Sequence, residues 1–139
     1  MDWLDKIKQG KEEMKQRCID IALKYTPESV MYIRERKNLS GKAYRTHIEV
    51  PRPFTRKSLY IFLHECAHVI LEHHGAGKKK RYIEEFEAEQ WSIKTMRIEG
   101  ISVPREMLAR AKNYVTRKVK QAQARGLKTV NRDVKKFIK

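Results

Sequence analysis

Between residues 56 and 73 the chain reads RKSLYIFLHECAHVILEH, and Leu59, Ile61, Phe62, Leu63, Cys66, Val69, Ile70 and Leu71 surround most of a helical circumference. A helix that is apolar on nearly every side has to be enclosed by other elements. The fold is therefore expected to assemble around a central helix from about Arg56 to His73, and the histidines of that helix go inside with it. Thr55 can cap the first turn. The prolines of PRP at 51 to 53 end whatever strand precedes it, because proline has no amide hydrogen for a ladder.

The flanking segments supply the enclosure. Met14, Cys18, Ile21, Ala22 and Tyr25 recur every three or four residues, which predicts a first helix over 11 to 25 that Pro27 interrupts. SVMYIRER (29–36) and AYRTHIEV (43–50) are rich in strand formers and are separated by KNLSGK, a turn composition. They predict an antiparallel hairpin with Tyr44, Thr46, Ile48 and Val50 on one face and Arg45, His47 and Glu49 on the other. GAGKKK (75–80) reads as a connecting loop before a helix from about Tyr82 to Ile98, and EGISVP (99–104) breaks that helix. A last long helix begins near Pro104 and stops at Gly126, and NRDVKKFIK adds a short helix capped by Asn131. At 139 residues this is one domain of α+β class, mostly helical, with a small antiparallel sheet packed on the buried helix and a basic C-terminal helix.

Inside the central helix, HECAH occupies 64 to 68. Residues four apart lie one turn apart and about 40° around, so His64 and His68 point the same way and can share one ion. Glu65 sits beside them, placed to contact water at that ion without ligating it, the arrangement found on the helix of zinc peptidases. Zinc lowers the pKa of bound water to about 7 and polarises a carbonyl, and the neighbouring carboxylate can take the proton. The ordinary alternative is a core helix with two hydrogen-bonded histidines. A catalytic zinc needs a third protein ligand. YIEEFEAEQWSIKTM (82–96) offers carboxylates on the next helix, with Glu84, Glu85 and Glu87 all open on spacing.

Taken together, TRKSLYIFLHECAHVILEH and EEFEAEQWS resemble the ImmA/IrrE family of small metallopeptidases over about residues 40 to 100. In that family the second helix reads roughly Glu-x-x-Ala-x-x-Phe-Ala, and its first glutamate is the third zinc ligand. Setting the frame on Ala88, the resemblance implies zinc on His64, His68 and Glu85, with Glu65 as general base and then proton donor. It also places Glu89 where it can accept a hydrogen bond from a ligating imidazole. Ala67 stands where glycine is frequent, Trp91-Ser92 where Phe-Ala is usual, and Glu89 where Asp or Asn is commoner. Residues 1–100 would be the metallopeptidase domain and 101–139 a basic extension packed on it. The implied substrate is a regulatory protein, often a transcriptional repressor. The hairpin edge, Ala43 to Val50, would bind it as an added strand.

Other residues carry weaker readings. His73, His74, Tyr82, Tyr44 and His47 could each donate to a developing oxyanion, though histidines at a helix end ordinarily just suit the dipole. Cys66 reads as a small core residue and KKKR (78–81) as a solvated loop.

The net charge is +15, and residues 101–139 hold +10 of it, with twelve Lys and Arg against Glu106 and Asp133. On the last long helix Met107, Leu108, Ala111, Tyr114, Val115, Val119 and Ala122 form an apolar stripe, while Arg105, Arg110, Lys112, Arg117 and Lys120 take the other side. That side can contact phosphates without reading bases. It supports a competing class, a nucleic-acid-binding protein with a structural or vestigial metal site, and a third, a protease of DNA-attached proteins. Two cysteines give no disulfide framework, and no apolar run reaches the length of a membrane span, so a cytoplasmic protein is expected.

Overall fold

The computed structural model describes residues 2–73 and 79–139. Among the described residues, five helices and three short strands follow one another as α1 (Trp3–Tyr25), β1 (Tyr32–Glu35), β2 (Lys42–Ala43), β3 (His47–Val50), α2 (Arg56–Ile70), α3 (Arg81–Ile98), α4 (Arg105–Ala124) and α5 (Arg132–Ile138). The class is α+β, as the residue pattern predicts. Among the described residues, no helix is long and apolar enough to cross a membrane.

The sheet differs from the expected antiparallel hairpin. Its order is β1-β3-β2, with β1 parallel to β3 and β2 antiparallel to β3. The cause is that residues 43 to 50 are not one strand. The chain reverses at Tyr44 to Thr46, where the Tyr44 amide donates to the His47 carbonyl at 2.9 Å. That second reversal, added to the one between β1 and β2, returns β3 to the direction of β1. The alternation therefore holds only from His47 onward: Ile48 and Val50 are buried, while Arg45 and Thr46 are exposed in the turn. Tyr44 leaves the apolar face and stacks on His47, ring centroids 4.3 Å apart, and Tyr32 stacks on the same imidazole at 4.5 Å.

Helix α2 is enclosed as its composition demands, with every residue from Ser58 to Val69 buried. Thr55 and Ser58 form a reciprocal capping box at its start. It ends at Ile70 and not at His73, because Glu72 takes a left-handed conformation (φ 56) that folds the chain back, and Ile70 and Leu71 emerge into solvent. Cys18, Ile21 and Ala22 of α1, Ile48 and Val50 of β3, Ile93 and Met96 of α3, and Met107 and Ala111 of α4 join Leu59, Leu63 and Cys66 in the main core. A second cluster, Tyr82, Val115, Val119 and Val134, ties α4 and α5 to the start of α3. The stripe on α4 thus packs residues 101–139 onto the same body.

Helix α1 begins eight residues earlier than its apolar period indicates. The Asp2 carboxylate caps it by accepting from the Asp5 amide at 2.9 Å. That extension buries nothing, and Trp3 and Leu4 are 69% and 50% exposed.

Candidate metal centre

Helices α2 and α3 lie against each other, and Ala88, fully buried at their contact, removes the bulk that would hold them apart. His64 and His68 on α2 and Glu85 on α3 meet across this interface. His64 Nε2 is 3.1 Å from His68 Nε2, and each lies 3.3 Å from Glu85 Oε2. Three atoms tetrahedrally disposed around zinc, with bonds of ~2.0–2.1 Å, stand ~3.3 Å from one another. The triangle has those sides. Glu85 Oε2 is buried and has no hydrogen-bond donor in this structure, and a buried carboxylate oxygen without a partner is costly unless a cation takes that place. The residues present therefore fit a tetrahedral ion with one further position open.

The same three groups polarise one another. Burial opposes charge on His64, but the carboxylates of Glu89 and Glu85 outweigh it and hold its pKa well above the usual imidazole value. Burial would likewise raise Glu85, yet the two histidines keep it well below the ordinary carboxylate range. The second oxygen of Glu85, Oε1, faces Arg81 Nη2 at 3.0 Å, which leaves Oε2 turned toward the imidazoles.

Each imidazole also has a neighbour at its Nδ1. His64 Nδ1 lies 2.9 Å from Glu89 Oε1, although the N–H direction is too oblique for a linear hydrogen bond. Glu89 is itself held by the hydroxyl of Tyr60. His68 Nδ1 meets no carboxylate but His73 Nδ1, at 2.9 Å, and His73 Nε2 meets Glu87 Oε1 at 3.0 Å. Burial lowers the pKa of His73, favouring the neutral ring.

Glu65 points into the same space. One of its oxygens lies within 4.8 Å of nitrogens on both histidines, so His64, Glu65 and His68 by themselves also form a group able to hold an ion. The 3.3 Å contacts bring Glu85 Oε2 closer to both imidazoles than Glu65 comes. Burial raises the pKa of Glu65. Gly41, just before β2, lies directly over it: a Cβ there would stand 2.7 Å from Glu65 Cγ and 2.8 Å from Oε2.

The site opens into a cleft of about 490 Å³ whose walls include Lys42 and Ala43 of β2, Arg81, and Arg110 and Tyr114 of α4. Two assignments change here. Of the expected Ala43 to Val50 edge, β3 is paired on both sides, so the part that can accept a neighbour at the cleft is β2, an outer strand. Arg110 faces the cleft as well as the basic side of α4, whereas Arg105, Lys112, Arg117 and Lys120 are exposed away from those walls. Glu84 is buried near Arg81, at 3.9 Å, and Glu87 is engaged by His73 and Lys79, so neither rival ligand reaches the triangle.

Of the candidate oxyanion donors, His73 alone among Tyr44, His47, His73 and Tyr82 lines the cleft. Tyr82 accepts from the Asn131 amide at 3.1 Å, and His74 lies outside the described residues, as does most of the 75–80 loop. Cys66 is buried in the apolar core with its thiol pushed up to about 12 by burial, an inert position. Tyr114 is the residue the periodicity concealed. It occupies the edge of the apolar stripe, and only the crossing of α4 over the cleft turns it inward. Burial and then Glu85 raise its pKa, keeping the hydroxyl a donor.

No protein-family model matches the chain, and no match is found among curated proteins or solved structures.

Proposed function

We propose that the protein is a zinc-dependent endopeptidase of ImmA/IrrE type, hydrolysing a peptide bond in a protein substrate. The observation that carries this reading is the 3.1–3.3 Å triangle of His64, His68 and Glu85 with Glu65 beside it. Zinc held by those three ligands would supply an electrophile for the scissile carbonyl and acidify water. Glu65 accepts the proton of the attacking water and returns it to the departing amine nitrogen, and its raised pKa suits both transfers. Tyr114 can donate to the carbonyl oxygen as negative charge develops there. The free edge of β2 at Lys42 and Ala43 can pair with the substrate main chain, which gives sequence-tolerant binding.

The test is metal content of wild type beside Glu85→Ala and Glu84→Ala, with cleavage of a degenerate peptide library as the second readout. One zinc per chain, lost in Glu85→Ala and kept in Glu84→Ala, together with cleavage by wild type, supports the reading. Absence of zinc from wild type refutes it.

A second feature bears on the substrate. Arg105, Lys112, Arg117 and Lys120 are exposed on α4, and the only acidic residue of that helix, Glu106, is engaged by Lys57 at 2.5 Å. This face continues into the cleft through Arg110. It favours a substrate associated with nucleic acid, or, if cleavage is absent, a nucleic-acid-binding role. Binding to duplex DNA should weaken steeply with salt, and adding DNA should raise cleavage if the two functions are linked.

A further inference from the structure

Position 73 closes α2 in a way the helix itself does not require. After Ile70 the chain turns through Glu72, an L residue in the left-handed region at φ 56, and the His73 amide donates to the His68 carbonyl at 3.0 Å. That turn lays the His73 ring beneath His68, where its side chain is only 3% exposed although Leu71 and Glu72 just before it are exposed.

We propose that His73 and Glu87 form a positioning relay for the second metal-ligating histidine, His68. The proposal rests on the metal centre of His64, His68 and Glu85. A histidine that ligates through Nε2 must carry its ring proton on Nδ1. His68 Nδ1 then donates to His73 Nδ1 at 2.9 Å, which obliges His73 to hold its own proton on Nε2, and that nitrogen faces Glu87 Oε1 at 3.0 Å. One proton register satisfies every atom. The opposite register would put a proton on His68 Nε2, inside the triangle of ligand atoms, and would leave His73 Nε2 bare against a carboxylate.

Lys79 completes the chain by donating to both oxygens of Glu87, at 3.1 and 2.8 Å. His68 is thus oriented by a carboxylate acting through a second imidazole, whereas His64 meets its carboxylate, Glu89, directly. His73 is a positioning residue: although it lines the same cleft, its ring meets His68 at Nδ1 and not at the Nε2 that forms the triangle.

The experiment uses metal-stripped full-length protein: wild type, His73→Leu, His73→Asn and Glu87→Ala. Each is titrated with zinc against a chromogenic chelator, loaded with cobalt(II) for its visible spectrum, and melted without metal. His73→Leu should bind zinc about 10- to 100-fold more weakly and shift the cobalt bands. His73→Asn, whose amide oxygen can occupy the place of Nδ1, should recover most of that loss. Glu87→Ala should fall between, since His73 still accepts. Wild-type zinc affinity and cobalt spectrum in His73→Leu, with any loss confined to the melting of the metal-free protein, would overturn the relay and leave His73 as packing. If His73→Leu does not fold, Glu87→Ala at its partly exposed position decides: weakened binding supports the relay and unchanged binding refutes it. Failure of wild type to bind zinc at all would instead refute the metal centre.

Discussion

Leu63 and His64 are neighbours in the chain, on one helix, and both are more than nine-tenths buried, yet they face opposite interiors. Leu63 joins Leu59, Cys66, Ile48, Val50 and Met96, an apolar core in which burial of each large side chain contributes about 1.5–3 kcal/mol. His64 joins Glu65, His68, Glu85 and Glu89, where each charge removed from water costs several kcal/mol and only mutual pairing or an ion offsets it. One side of α2 is explained by stability. The other lowers stability unless it binds something, and buried titratable groups held in a cleft mark chemistry.

The widest separation of the two sides should come from Glu65→Gln. Cleavage should fall by about 10²- to 10⁴-fold, measured as turnover, with zinc content unchanged and urea stability equal to wild type or higher, because an unfavourably buried charge is gone. Full activity in this variant would break the contrast. Leu63→Ala is the mirror experiment: it should cost about 2–5 kcal/mol in urea unfolding while the folded protein still holds one zinc per chain. Gly41→Ala should lower kcat by about 10²-fold, a methyl group displacing the Glu65 carboxylate by roughly an ångström. Zinc affinity should not change, and a variant that loses zinc as well would show the two groups to be inseparable.

The smallest effect is that of pH on the metal-stripped protein. His64 has its pKa raised above the ordinary 6.5 by Glu89 and Glu85. A group protonated more tightly in the folded state contributes stability that is fully present below about 6.5 and lost as pH rises through the raised value. Unfolding midpoints without metal should therefore fall above that pH, and saturating zinc, which takes the proton's place, should reverse the trend.

Much of this was legible in the residues. The all-round apolar pattern of 59–71 requires burial, the four-residue histidine spacing requires a common direction, and α2 and α3 realise both within a few residues of the expected bounds. Glu85 was open against Glu84 and Glu87 on spacing alone, because one helix presents neighbouring carboxylates in three directions. The angle at which α3 crosses α2 selects among them. The sheet departs from the expected hairpin for a related reason: Tyr44, Arg45 and Thr46 have strand propensities, and the tight turn they form is held by pairing of β2 with β3, a contact that no local preference reports.

The order of residues was enough to specify a buried helix with two histidines and a glutamate on one side, since helical periodicity and hydrophobic burial act over a few residues. Tertiary structure alone decided that Tyr114 and Arg110 come to the mouth of that site, that Gly41 covers Glu65, and that His73 folds back under His68. Those placements depend on where separate elements cross, and crossing is set by packing of the whole core.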